Sequence, residues 1–180
     1  MKTEYDARQL DVKAFAGGAG VLTGEDRAGR HERLMAETLG LGAESVLCWR
    51  ASGEFRPVSG GGQVWLHLKA ETVLPLTCQR CLGPVDVAVA VERSFRFVAD
   101  EKVAAAEDDD SDEDLLVLNR SLDLIELVED ELLMELPVAP RHEICPEPVK
   151  LAVADEDFEA AMGQRENPFA LLHKSKTGKQ

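Results

Sequence analysis

The chain has 180 residues, a formal net charge of −14 and only 5% aromatic residues. That length suits one domain with tails, or one domain with a long excursion, and it suffices to bury a core built mostly from Val, Leu and Ala. The excess of acid argues against a generic phosphate-binding surface, because affinity for nucleic acid comes mostly from Lys and Arg displacing counterions.

The charge is local. Residues 100–135 hold 15 Asp and Glu against Lys102 and Arg120, a net of −13, so the remainder carries −14 − (−13) = −1. No run of about 18 apolar residues exists, so no membrane span is expected. The first residues form no apolar signal region, and the expected compartment is the cytoplasm.

In chain order, Leu10, Val12 and Ala14 alternate with Asp11 and Lys13, which predicts an edge strand broken at Gly17-Gly18-Ala19-Gly20. Residues 25–39 read as a helix with Leu34, Met35 and Leu39 on its apolar side. Arg27, Arg30 and Arg33 recur every three positions on it, with His31 beside them. This basic stripe is either a solvated face or a phosphate-contacting one.

A short strand is predicted over 45–51, with Cys48 and Trp49, and Gly60-Gly61-Gly62 marks a turn. From Val64 apolar and polar residues alternate, and after Cys78-Gln79-Arg80-Cys81 they alternate again. There Val85, Val87, Val89, Val91, Phe95 and Phe97 share one face, interrupted by Arg93. Period two this regular predicts an antiparallel sheet with one wet face, and places the cysteine pair at the tip of a long hairpin.

Residues 99–114 hold nine acids and few large apolar side chains, which predicts a disordered acidic loop: a solvated linker, or a mimic of nucleic-acid phosphates. Leu115–Leu118 could return to the sheet. Ser121 or Asp123 then caps a helix running to about Leu136, with Leu124, Ile125, Val128, Leu132 and Leu136 as its apolar stripe. Asp123, Glu126, Glu129, Asp130 and Glu135 are expected to face water. Pro137 ends the helix. Residues 146–180 read as a loosely ordered tail. Asn167–Leu172 could form one short helix ahead of the basic Lys174, Lys176 and Lys179, a docking peptide or a frayed end.

Cys78-x-x-Cys81 and His142-x-x-Cys145 together supply three thiols and one imidazole, a standard tetrahedral zinc shell. A closed four-ligand site would be structural, with no open position for water. Cys48 could replace His142 as the fourth ligand, but beside Trp49 it also reads as a core residue. A redox role for the pair needs a helix opening after it, and here Gly83-Pro84 and a valine strand follow. No spacing for a dinucleotide loop, a phosphate loop, a serine elbow or a zinc-protease helix is present, and the carboxylates lie where nothing desolvates them. No catalytic constellation is expected.

Three segments in order resemble one family. Leu76-Thr77-Cys78-Gln79-Arg80-Cys81 with Pro84 is similar to the Cys-x-Arg-Cys signature of the YceD family, the large ribosomal RNA subunit accumulation proteins. Leu122–Glu131 with Leu136-Pro137-Val138-Ala139-Pro140 resembles its acidic helix and Leu-Pro turn. Asn167–Leu172 resembles the tail of its proteobacterial members. The resemblance implies a bacterial cytoplasmic protein, not an enzyme, that supports accumulation of large-subunit ribosomal RNA. Some members carry a second cysteine pair after the Leu-Pro turn, completing a four-thiol metal site; this chain has only Cys145 there, with His142 upstream.

These readings combine into an α+β domain over residues 1–145. It has an antiparallel sheet with a long hairpin, packed helices and an acidic insert at 99–114, followed by the tail. The implied function is a non-catalytic factor in ribosome assembly that binds pre-ribosomal RNA, large-subunit (50S) assembly factors or ribosomal proteins, with no membrane. Arg27, Arg30, Arg33, Arg80, Lys174, Lys176 and Lys179 are its candidate contacts, and zinc is its candidate metal. The alternative is an acidic adaptor that holds a basic ribosomal protein without touching RNA.

Overall fold

The computed structural model describes residues 5–58, 61–107, 111, 113–146 and 157–158. The chain divides into two compact units, Met1–Ile144 and Cys145–Gln180. The second unit's described residues include only residues 157–158 in helical conformation. All of the sheet lies in the first unit, which is an α+β structure. Among the described residues no helix is long and apolar enough to cross a membrane.

Among the described residues five strands form one sheet in the order β1-β2-β3-β4-β5, from Val21–Arg27, Val46–Val58, Gly61–Thr77, Pro84–Val98 and Asp114–Val117. The first four pair antiparallel, and the long hairpin is β3–β4, in register from Val64↔Phe97 to Thr77↔Pro84. The alternation read from the sequence is the burial pattern. Val64, Leu66, Leu68, Val89, Val91, Phe95 and Phe97 are all buried on one face.

Among the described residues of the first unit four α-helices accompany the sheet: α1 (Val12–Gly17), α2 (Glu32–Glu37), α3 (Glu101–Glu107) and α4 (Leu124–Met134). Asp123 caps α4 by accepting from the backbone N–H of Ile125 at 3.0 Å and Glu126 at 3.1 Å. Leu124, Val128 and Leu132 are fully buried, and α4 packs against β3 and β4. Each such side chain contributes about 1.5–3 kcal/mol by leaving water.

The first 40 residues differ from the sequence reading. Of the expected edge strand at Leu10–Ala14 only Leu10 makes a β-bridge, to Leu122, and from Val12 the chain is helix α1. Asp11 accepts from Ala14 N–H at 2.9 Å, and Val12, Phe15 and Ala16 fall at helical spacing on the buried side. The alternation had matched both periods over five residues, and the cap decided between them. Gly53 lets this helix sit on β2, since a Cβ there would lie 2.7 Å from the Phe15 ring.

The expected helix over 25–39 is in fact strand β1, a 3-10 turn at Ala28–Arg30 and the short α2. Residues 21–27 gain a full ladder with β2, from Val21↔Ser52 to Arg27↔Val46. Gly24 permits it, because a Cβ there would fall 2.4 Å from the Trp49 ring. Leu34 is buried, but Leu39 is 75% exposed.

The acidic insert is partly regular. Glu101–Glu107 form α3, begun by Asp100, whose carboxylate accepts from the N–H of Lys102 and Val103. Residues 108–110 and 112 lie outside the described residues. The segment expected to return to the sheet does so as β5, but parallel to β4, from Phe95↔Asp114 to Val98↔Val117. Parallel neighbours require a crossover of a dozen or more residues, and the insert between β4 and β5 is that crossover.

Two acids of α4 face inward, against the expectation for Glu129. Its carboxylate accepts from the backbone N–H of Arg33 at 2.9 Å and Leu34 at 3.2 Å, so it caps α2, whose own N-cap His31 makes no side-chain bond. Glu131 is buried to 9% exposure. Desolvation raises its pKa, against the pull of Arg93.

Candidate metal centre

The Cys78–Pro84 turn reverses the chain between β3 and β4. Cys78 N–H donates to the Gly83 carbonyl and Leu82 N–H to the Cys78 carbonyl, both at 2.9 Å. Closing so tight a loop places Leu82 in the left-handed region at φ 59°, where a side chain costs about 1–2 kcal/mol.

The segment after the Leu-Pro turn lies against this knuckle. Gln79 N–H donates to the Pro140 carbonyl at 2.8 Å. Arg80 donates to the carbonyls of His142 and, at 3.1 Å, Glu143. The imidazole of His142 is thereby brought to the thiols, with Nδ1 3.5 Å from Cys81 Sγ. Its Nε2 lies 3.0 Å from the Pro84 carbonyl, which can only accept, so Nε2 carries a proton and Nδ1 is the nitrogen turned to the sulfurs. A backbone carbonyl fixing the tautomer in this way is the usual outer partner of a metal-binding histidine.

The ligand atoms of Cys78, Cys81, His142 and Cys145 all lie within 4.8 Å of one another. Cys78 is fully buried, which should raise its thiol pKa. The backbone N–H of Cys81 outweighs that desolvation, helped by those of His142 and Arg80 and by the His142 side chain. Together they hold the pKa down to about 5. A thiolate and an unprotonated imidazole nitrogen are the forms a metal takes. Thiolates around zinc stand about 3.8 Å apart, given Zn–S bonds of about 2.3 Å. The cluster fits such an ion with a small contraction, and the set matches a structural shell. Cys48, the alternative fourth ligand, lies on β2 beside Glu25 and Glu71 in register and is outside this group.

The arginines expected to form one stripe lie in three different elements. Arg27 ends β1 and donates to the Glu44 carbonyl at 2.7 Å. Arg30 pairs with Asp26 at 3.1 Å. Arg33 pairs with Asp130 and, at 3.2 Å, with Glu129, which raises its pKa. Arg80 is spent on two carbonyls of the knuckle. Lys174, Lys176 and Lys179 lie outside the described residues, as does the short helix expected at Asn167–Leu172. The sequence reading missed the Pro84 and Pro140 carbonyls as acceptors at the site; backbone groups leave no mark in a residue pattern. It also placed Glu129 facing water, where the structure turns it onto the amides of Arg33 and Leu34.

Fold and site define an α+β protein with a cysteine–histidine knuckle at the tip of its longest hairpin. A family model described as "Large ribosomal RNA subunit accumulation protein YceD" matches residues 66–174, more than half of the 180 positions. The chain belongs to the YceD family. No curated protein and no solved structure gives a significant match.

Proposed function

We propose that this protein is a non-catalytic factor that supports accumulation of large-subunit ribosomal RNA by binding a pre-ribosomal particle or one of its assembly partners in the cytoplasm. The observation that supports this reading is the family match over residues 66–174, whose description names large ribosomal RNA subunit accumulation. Cys78, Cys81, His142 and Cys145 would hold zinc. The ion would supply only cross-linking of the hairpin tip to the segment after α4, since four protein donors leave no position for substrate. Deleting the gene should lower mature large-subunit RNA and skew the subunit profile on a sucrose gradient. Normal levels and profile in the deletion strain would sink the proposal.

A second reading, an adaptor for basic ribosomal proteins, is favoured by one observation. The ion pairs of Arg30 and Arg33 with Asp26, Glu129 and Asp130 leave these arginines less able to meet phosphate. Crosslinking in cells separates the two: RNA crosslinks at Arg27, Arg30 or Arg33 favour direct RNA binding, and protein-only crosslinks favour the adaptor.

A further inference from the structure

The helices α1 and α4 pack where the apolar residues of β2, β3 and β4 point; the opposite face is open toward the knuckle, whereas at its other end Trp65 is buried and Arg96 meets Glu107 of α3. Across it runs a row in register, Glu25–Cys48–Glu71–Ala90. The next rows toward the knuckle bring Val73 beside Ala88 and Pro75 beside Asp86. Ala88 and Ala90 keep the floor low, and a depression of about 600 Å³ opens there, lined in part by Val46, Cys48, Val73 and Ala88. Val46 is 39% and Val73 51% exposed, so apolar surface on this floor is open to a partner.

Glu71 and Asp86 stand on either side of this apolar floor, and Glu25 at its edge. Among the described residues none of the three has an ion-pair partner, whereas Lys69, one row further from the knuckle, is tied to Glu92 at 2.6 Å. Arg27 and Arg50 rim the β1 side of the face. The central strands are paired on both edges, so their backbone cannot take up another strand, and recognition must come from side chains. An apolar floor between unpaired carboxylates fits a cationic chain with an apolar side.

We propose that this open face docks a lysine- or arginine-rich segment of a protein. Its apolar side chains would enter the Val46–Cys48–Val73–Ala88 depression, and its cations would reach Glu71 and Asp86. This names a partner class for the assembly factor and rests on that reading for its biological setting, but not for its chemistry.

The test is site-specific photocrosslinking with the full-length protein. Benzoylphenylalanine replaces Val73, or Met134 as an exposed control on α4, and the probe is the total protein and RNA of purified large ribosomal subunits. Position 73 should crosslink to one lysine- or arginine-rich segment, identified by mass spectrometry, and position 134 should not. The double variant Glu71→Lys/Asp86→Lys should cut that yield at least tenfold with an unchanged thermal melt. If the variant does not fold, raising the salt concentration on the parent protein should reduce the yield instead. Crosslinking to RNA, equal yields at both positions, no crosslink, or a yield indifferent to charge reversal and salt overturns the proposal. A charge-sensitive crosslink alongside normal ribosomal RNA in the deletion strain would uphold the surface and remove the assembly role.

Discussion

Along its middle, β3 buries Leu66, Leu68 and Leu74 completely in a core shared with Leu124, Val128 and Leu132 of α4. At its end it runs out of such neighbours. Leu76 is the last large apolar side chain, then Cys78 is buried among amides and carbonyls while Leu82 stands 75% exposed. The middle is held by apolar area removed from water, which needs no exact geometry. The tip is held by directed bonds to backbone atoms and by a donor set suited to a metal. A short excursion beyond the core has too little apolar surface to order itself, so it depends on polar groups at set distances.

The largest effect should come from breaking the middle. Leu132→Ala is expected to destabilise by about 2–5 kcal/mol in urea unfolding, through lost transfer energy and a residual cavity. Zinc content per folded chain should stay the same. Breaking the tip should do the reverse. Cys81→Ser is expected to abolish zinc retention by metal analysis and speed amide exchange at Gln79 and Leu82, with a smaller global loss than Leu132→Ala. Equal global losses from the two variants would show that tip and core unfold together.

A smaller effect tests the seam between α2 and α4. Glu129→Ala removes the cap of α2 and is expected to cost about 1–2 kcal/mol. Arg33→Ala keeps the two amide bonds to Glu129 and loses only half-exposed ion pairs, so about 0.2–1 kcal/mol is expected. Equal losses would mean that the ion pairs, and not the cap, hold the seam.

The smallest effect concerns the polar cluster at the other end of that sheet face. Arg56 holds both oxygens of Glu54, at 2.8 and 3.0 Å, and lies over the Trp65 ring at 4.1 Å. His67 sits between Glu54 at 2.9 Å and Ser94 at 2.8 Å. Hydrogen bonds from Arg56 first, then His67, lower the Glu54 pKa from 4.5 to about 2. A depressed carboxylate stabilises fully above its unfolded value, and that contribution disappears as pH falls from 4.5 toward 2. Glu54→Gln should therefore flatten the stability–pH curve in that window alone, measured by urea midpoints at stepped pH. Both groups are well exposed, so added salt should shrink the difference.

Several elements were readable because one local rule decided each. The valines and phenylalanines of β4 alternate without competition, and Asp123 precedes a clean helical stripe. Cys78-x-x-Cys81 between two alternating runs can only be a turn. The beginning of the chain was not readable in this way. Five alternating residues at Leu10–Ala14 fit a strand or a helix, and Asp11 settled them by capping. Residues 21–27 carry no strong period, and became a strand because β2 offered an edge and Gly24 let Trp49 lie flat against it.

The sequence by itself determined which residues go inside the hairpin and α4, where the acid is concentrated, and which four side chains have the chemistry to share a metal. Only the tertiary structure decided that β5 runs parallel, that Glu129 caps a helix almost 100 positions away, and that Arg27, Arg30 and Arg33 part company. It also brought His142 to the knuckle, through Arg80, Gln79 and the Pro84 carbonyl. Periodicity and capping act within a few residues and are written locally. The placement of a distant carboxylate or imidazole depends on backbone atoms at both ends, which every residue carries alike.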